Sequence, residues 1–322
     1  EIGVRLVGSE MCIRDRAAYE EDYKGHILHQ HCLGQQNQPV PCRVACPAHV
    51  DIPGYLSLIA DGRNEDAVRL IRKDNPFPAS CGFVCEHPCE ANCRRNMTDD
   101  AINICGLKRY AVEHTQAVAA PERLPETGKK IAIVGGGPGG LTAAYYLQLM
   151  GHQVTIMERL DQLGGMLRYG IPPYRLPRNY LDWDINHILS VGVETKFGVS
   201  VGKDFTLEDL RKQYDAVYLS FGAHTSKFLR IAGEESKGVI SAIDMLRNVG
   251  YGNPPDFTDK TVVIIGGGNV AMDASRTAVR LGASKVYIAY RRSRADMPAL
   301  KEEIEGAVAE GCELLQLCAP DH

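Results

Sequence analysis

Long apolar runs are missing: nowhere in the 322 residues do about 18 apolar residues follow one another, so no segment reads as a membrane-spanning helix. The start of the chain also lacks the basic, apolar and small-residue succession of an export signal, and a cytoplasmic location is expected. Neither sign of charge dominates. The formal charge is -4 with acidic and basic residues interspersed, which leaves no electrostatic footprint for nucleic acid or an anionic membrane surface. Cysteine is absent from Gly106 to Gly311, so no redox-active cysteine pair can operate in that stretch. With 44% apolar and 24% charged residues, the composition is that of a globular protein long enough for two or three domains.

What is present is uneven. Of the eleven cysteines, eight lie between Cys32 and Cys105, and the others are Cys12, Cys312 and Cys318. Without an export signal such crowding points to metal chemistry rather than disulfides. The stretch Leu6 to Arg16 reads as an in-frame translation of a transposase adapter used to build sequencing libraries. Residues 1–16 are therefore expected to be non-native, with the native chain starting near Ala17, and Cys12 is given no role.

Residues 17–118 read as short helices joined by short loops. Asp51 is placed to cap a helix that Pro53 starts and Gly62 stops, and Asn64 to cap the next, through Arg72. Residues 119–129 have the Pro, Gly and charge content of a linker. Then come an apolar strand at Ile131–Val134, a glycine cluster, a helix to Met150 stopped by Gly151, and a strand at Gln153–Met157. The same grammar returns about 130 residues later, a separation that suits two lobes. Thr261–Ile265 is a strand, Gly266 to Gly268 a turn, Asn269–Leu281 a helix stopped by Gly282, and Lys285–Tyr290 a strand. Between the two units, Tyr214–Ser220 reads as a further buried strand, and near the end Leu314–Leu317 as another.

The cysteines repeat at a fixed offset. Cys42 and Cys46 are four residues apart and Pro47 follows; Cys81, Cys85, Cys89 and Cys93 keep the same spacing. Pro88 suits the first turn of a helix, which would stack Cys89 and Cys93 on one face with Cys85 in the loop before it. A [4Fe–4S] cluster takes about four thiolates from such short runs, often with a proline after one of them. Structural zinc uses comparable spacings, and buried free thiols are the plain alternative. Cys32 and Cys105 are more remote candidates. The nucleotide motifs downstream favour iron, since a redox chain uses it.

Gly135, Gly137 and Gly140 follow a clean strand and open a helix at Pro138, and Glu158 ends the next strand. That is the dinucleotide-binding pattern: a tight turn, a close backbone approach to pyrophosphate, close helix–strand packing, and a carboxylate placed to accept from ribose hydroxyls. The second turn has Gly266, Gly268 and Asn269, with Ala271 at the third small position, and its second strand ends in Tyr290-Arg291-Arg292. Guanidinium groups there suit the 2′-phosphate of NADP, which a carboxylate would repel. A solvated strand end is the bland reading of Arg291 and Arg292.

Taken together, the stretches Val40 to Pro53, Asn75-Pro76-Phe77-Pro78 to Cys93, Gly135 to Gly140, Gly164 to Pro172, Gly266 to Asp273 and Tyr290 to Ala299 resemble the glutamate synthase small (beta) subunit family of FAD-dependent NAD(P)H oxidoreductases. Its relatives include the N-terminal half of dihydropyrimidine dehydrogenase and the large subunit of NADH-dependent ferredoxin:NADP oxidoreductase. The resemblance implies an α/β protein with an all-α iron–sulfur domain at 17–118 and two Rossmann-like folds in a glutathione-reductase-like arrangement, an FAD domain at 130–225 and an NAD(P)H domain at 226–322. It implies FAD on the first turn, with Gly165, Arg168 and Gly222 as further contacts, NADPH on the second, and one or two [4Fe–4S] clusters. Hydride would pass from NADPH to flavin, and single electrons to the clusters and on to a partner subunit; no catalytic side chain is expected.

Two departures from that family carry expectations. With Cys12 set aside, only Cys32 precedes Cys42, which makes one cluster firmer than two. The family returns to its FAD domain after the nicotinamide domain, whereas this sequence stops at His322, so a C-terminal segment is expected to be missing and FAD retention to be weak. A non-catalytic relay or assembly subunit and a zinc-stabilised regulatory module remain the alternatives.

Overall fold

The structure is a computed structural model that describes residues 40–227 and 229–321; Cys32 and the suspected adapter segment lie outside the described residues. Short helices come first: α1 Pro41–Ala45, α2 Ile52–Ala60, α3 Asn64–Asp74, α4 Pro78–Val84, α5 Pro88–Ala91 and α6 Ile104–Glu113. Proline sits in the first turn of α1, α2, α4 and α5, where its missing N–H leaves no helical bond unmade. Asp51 caps α2 by accepting the Gly54 N–H at 3.3 Å, as its position predicts, and Asn103 caps α6 through the Gly106 N–H at 2.9 Å. Asn64 does not cap α3: Arg63 holds the cap position without a side-chain bond, and its guanidinium pairs with Asp66 at 2.9 Å.

One sequence expectation fails here. Cys89 and Cys93 do not share a helix face, because α5 ends at Ala91 and Asn92 turns its side-chain amide onto the Pro88 carbonyl at 2.9 Å. Cys93 is then extended and precedes a single 3₁₀ turn at Arg94–Met97.

Residues 119–129 hold neither helix nor strand until Lys130. The segment is stitched to the first nucleotide fold, with Leu124 donating to the Leu149 carbonyl at 2.8 Å and Thr127 to that of Gly151 at 3.0 Å. The first parallel sheet contains β1 Lys130–Val134, β2 Gln153–Met157, β3 Glu194–Lys196 and β4 Ala216–Leu219, in the order β3-β2-β1-β4. Its helices are α7 Pro138–Leu149, α8 Met166–Tyr169, α9 Arg178–Ser190 and α10 Leu207–Gln213. Phe77, Cys81, Phe83 and Val84 of the helical region join the core of this sheet's helix-covered face, with Ile133, Leu141 and Ile185.

The second parallel sheet, in the order β5-β6-β7, contains β5 Thr261–Ile265, β6 Lys285–Tyr290 and β7 Glu313–Gln316. Its helices are α11 Ala242–Gly250, α12 Asn269–Arg280 and α13 Lys301–Ala309. β4 departs from the expected buried strand: it is a sheet edge, with Tyr218 45% and Leu219 47% exposed. Among the described residues no helix is long and apolar enough to cross a membrane.

Candidate functional site

The first glycine turn joins β1 to α7. Gly135 has φ +108°, and a Cβ there would lie 2.3 Å from the Ser220 carbonyl oxygen; on Gly140 a Cβ would lie 1.9 Å from the Gly135 carbonyl oxygen. Both glycines are therefore demanded by the fold itself. Gly137 is different. Its φ of -78° suits any residue, and a Cβ would meet nothing closer than the Gly165 Cα at 3.8 Å. The bare backbone in front of Pro138 and α7 leaves room for an outside group at a helix start that favours anions.

Glu158, buried at the end of β2, accepts the N–H of Gly136 at 2.6 Å and that of Leu160 at 2.8 Å. The Gly164–Arg168 loop folds onto the same turn. Gly164 donates to the Gly136 carbonyl at 2.9 Å, and Gly165, at φ +51°, approaches Gly137 so closely that a Cβ would be 2.7 Å from its Cα. The Arg168 guanidinium is engaged within the protein, with the Leu163 carbonyl at 2.6 Å and with Asp182. Arg178, which no sequence motif marks, donates to the carbonyls of Leu167, Arg168, Ile171 and Leu176 at 2.6–3.2 Å and so fixes the loop. Gly222, at φ +66°, follows β4 and is exposed.

The second turn repeats the contrast. Gly266 has φ +137°, and a Cβ on Gly267 would strike the Tyr290 ring at 2.6 Å, whereas Gly268 has φ -92° and nothing within 4 Å. Asn269 opens α12 and accepts the Leu300 N–H at 2.9 Å, and Ala271 is buried against the strand behind. The Ala299 N–H bonds the Gly267 carbonyl at 3.1 Å, so the Asp296–Ala299 segment closes over this turn. Arg291 and Arg292 are exposed just past β6, and neither guanidinium makes a hydrogen bond or salt bridge among the described residues.

The cysteines gather around Tyr55 and Lys108. Tyr55 is fully buried and feels the thiols of Cys89, Cys105, Cys42 and Cys46; Lys108, also buried, feels Cys81, Cys85, Cys105 and Cys46. Burial pushes Lys108 toward its neutral form, and the surrounding sulfurs more than offset this and raise its pKa. Burial raises the thiols as well, Cys89 to about 11 and Cys105 to about 12, with Lys108 pulling both down. Cys105 is tied to both neighbouring cysteine helices: its Sγ points to the Cys81 carbonyl at 3.4 Å and its N–H to Glu90 at 2.7 Å. Asn75 donates to the Cys81 sulfur at 3.3 Å.

All of Cys42, Cys46, Cys81, Cys85, Cys89, Cys93 and Cys105 are free thiols. Among the described residues no three His, Cys, Asp or Glu side chains converge as one metal ion requires. A cluster asks each of its irons for one thiolate instead, and a buried ammonium suits its negative charge. Cys32 lies outside the described residues. Lys108 and Tyr55 were not legible as site residues, although Lys108 stands one helical turn after Cys105. Nor was Glu86, beside Cys85, which accepts from the Asn269 amide at 3.3 Å and so brings the cysteine loop against the second nucleotide turn.

Two parallel dinucleotide folds behind a helical, cysteine-rich region make the build of a pyridine-nucleotide-linked oxidoreductase. The chain belongs to the pyridine nucleotide-disulphide oxidoreductase family, whose model matches residues 129–313, with a second match over 99–174. Residues 20–120 match the family described as dihydropyrimidine dehydrogenase domain II, 4Fe-4S cluster. The chain is 46% identical over 279 residues to the NADPH-Fe(3+) oxidoreductase subunit beta of Geobacter sulfurreducens, covering 84% of this chain and 41% of that protein. It is 35% identical over 287 residues to the glutamate synthase [NADPH] small chain of Escherichia coli, covering 84% of this chain and 61% of that one. Mycobacterium tuberculosis FprA in complex with NADPH shares the fold at 24% identity, with a TM-score of 0.52 over 57% of this chain and 48% of that one. The chain thus spans about two fifths of the Geobacter relative's length. The resemblance to the glutamate synthase small-chain family is met, and so are the expected α/β class with its helical iron–sulfur region and Rossmann-type fold.

Proposed function

We propose that this chain is the NADPH-accepting part of a flavin and iron–sulfur oxidoreductase that passes electrons to a partner subunit or domain in the cytoplasm. One observation carries the reading. In both turns the second glycine has an ordinary backbone and room for a Cβ, which would make only an ordinary contact at 3.8 Å on Gly137 and none within 4 Å on Gly268, so it is the approach of a nucleotide diphosphate, and not the fold, that calls for glycine there.

On this reading Gly135, Gly137, Pro138 and Gly140 hold FAD, with Glu158 turned to its ribose and Gly165, Arg168 and Gly222 lining the flavin side. Gly266, Gly268, Asn269 and Ala271 hold NADPH, and the exposed guanidiniums of Arg291 and Arg292 take its 2′-phosphate. Cys42, Cys46, Cys85, Cys89 and Cys93 are the leading cluster ligands, with Cys32, Cys81 and Cys105 as the further set. Bound FAD would supply the exchange between a two-electron donor and one-electron acceptors. The chain's own part is to orient the bound groups, shield them from water and hold cluster charge against Lys108.

The test is anaerobic purification of the protein with added FAD, followed by flavin, iron and sulfide analysis and NADPH-driven dye reduction. Bound iron and sulfide, flavin binding and dye reduction are expected, with Cys89→Ser lowering iron content and Cys318→Ser leaving it unchanged. A preparation without iron that binds no flavin overturns the reading.

A further inference from the structure

Asp184 lies in the middle of α9, within the first dinucleotide fold, and is completely buried. The hydrogen-bond partners of its carboxylate belong to the cysteine-bearing region. One oxygen accepts the Ala79 N–H at 3.3 Å; the other accepts the Ser80 N–H at 2.7 Å and the Ser80 hydroxyl at 2.8 Å. Those two N–H groups are the first that α4 leaves without a helical acceptor, and its own cap residue, Phe77, offers no side-chain bond. From there α4 runs through Cys81 and is capped by Cys85.

The buried node has further members. Arg72 of α3 brings its guanidinium to 4.0 Å from the Asp184 carboxylate and lies over the Trp183 ring at 4.0 Å. Phe83 of α4 packs on Tyr180 of α9, with ring centroids 4.8 Å apart. A local Ser, Asp or Asn at position 77 would cap α4 without burying a carboxylate, which is costly even when bonded. A cap donated from another domain does something a local one cannot: it fixes where the cysteine helix stands against α9.

We propose that Asp184 is a positioning residue, which holds the helix leading to the cysteine cluster in register with the flavin-side fold and so sets the electron-transfer geometry between them. The proposal rests on the reading that the cysteines hold iron and the first turn holds FAD. Electron transfer falls steeply with separation, so a small shift of α4 is felt as rate.

The test compares wild type with Asp184→Asn, similar in volume but uncharged, and Ser80→Ala, which removes one of the three donors. Each full chain is loaded anaerobically with iron, sulfide and FAD. Flavin reduction by NADPH is expected to stay within about twofold of wild type, while the flavin-to-cluster step in stopped flow slows by about tenfold in Asp184→Asn and less in Ser80→Ala. The cluster's electron paramagnetic resonance spectrum and midpoint potential should move with it, which a merely structural role in the flavin fold would not cause. Variants that load normally and keep the wild-type spectrum, potential and transfer rate overturn the proposal. Should Asp184→Asn fail to fold, Ser80→Ala decides through hydrogen exchange of residues 79–85: faster exchange there, with α7 unchanged, supports the proposal, and unchanged exchange overturns it. Wild type that takes up neither iron nor flavin removes the functional reading and this proposal together, whereas loaded wild type with indifferent variants removes this one alone.

Discussion

Arg175 donates to both carboxylate oxygens of Asp273, at 3.0 and 2.9 Å, and so joins the loop after α8 to the helix that opens at the second glycine turn. Its Nε also reaches Glu303 at 2.9 Å, and all three side chains are largely buried. Burial drives Asp273 up to about 6, against the pull of Arg175. Removing the cation should therefore cost much more than an exposed pair would. Arg175→Met is expected to destabilise the protein by about 3–5 kcal/mol, and Arg175→Met with Asp273→Asn by clearly less. Urea unfolding of the single and double variants checks this, and a loss under about 1 kcal/mol in the single variant would contradict it.

The two kinds of glycine predict opposite phenotypes. Gly140→Ala places a Cβ 1.9 Å from the Gly135 carbonyl oxygen and should unfold the first nucleotide fold or leave it unable to pack. Gly268→Ala meets nothing within 4 Å and should change the melting temperature little while weakening NADPH binding. Thermal melts and nucleotide titrations separate the two. Unweakened NADPH binding by Gly268→Ala would remove the diphosphate from that turn.

Glu158 should show a dual effect. Glu158→Ala leaves the N–H groups of Gly136 and Leu160 without their acceptor, a loss of about 1–3 kcal/mol, and should also lower FAD affinity. NADPH binding at the second turn should stay the same. Urea unfolding measures the first effect and equilibrium flavin binding by fluorescence the second, and wild-type FAD affinity in the variant would argue against a ribose role.

Glu310 gives the acid limb of stability a defined contribution. Its hydrogen bond from Arg280, with Arg276 adding to it, holds the carboxyl at about 2, below the usual 4.5, against an opposing effect of burial. A carboxyl lowered in the folded state stabilises above its unfolded pKa, and that stability drains away as pH falls from 4.5 toward 2. Glu310→Gln should therefore cost about 1–2 kcal/mol near neutral pH and almost nothing at the acid end. Unfolding midpoints measured across that range test it; a difference independent of pH would contradict the assignment.

Most of the secondary structure was legible because its causes are local. The strands at Gln153–Met157, Thr261–Ile265 and Lys285–Tyr290 stand where apolar runs and flanking glycines placed them. Gly62, Gly151 and Gly282 take positive φ at the stops they mark. The misses have physical reasons. Cys93 leaves the helix because the side chain of Asn92 ends it, a competition that regular cysteine spacing hides. β4 is half-exposed because strand apolarity records what could cover a face, not what does.

The sequence alone determined the redox class and the two glycine turns, since a turn that must adopt positive φ and pack a helix closely against a strand needs glycines at fixed local spacing. Only the tertiary structure decided that Asp184 caps a helix 104 residues earlier in the chain, that Lys108 stands among the thiols, and that Glu86 meets Asn269. Those pairings are made through space by packing of one fold on another, and they leave no period in the chain to be read.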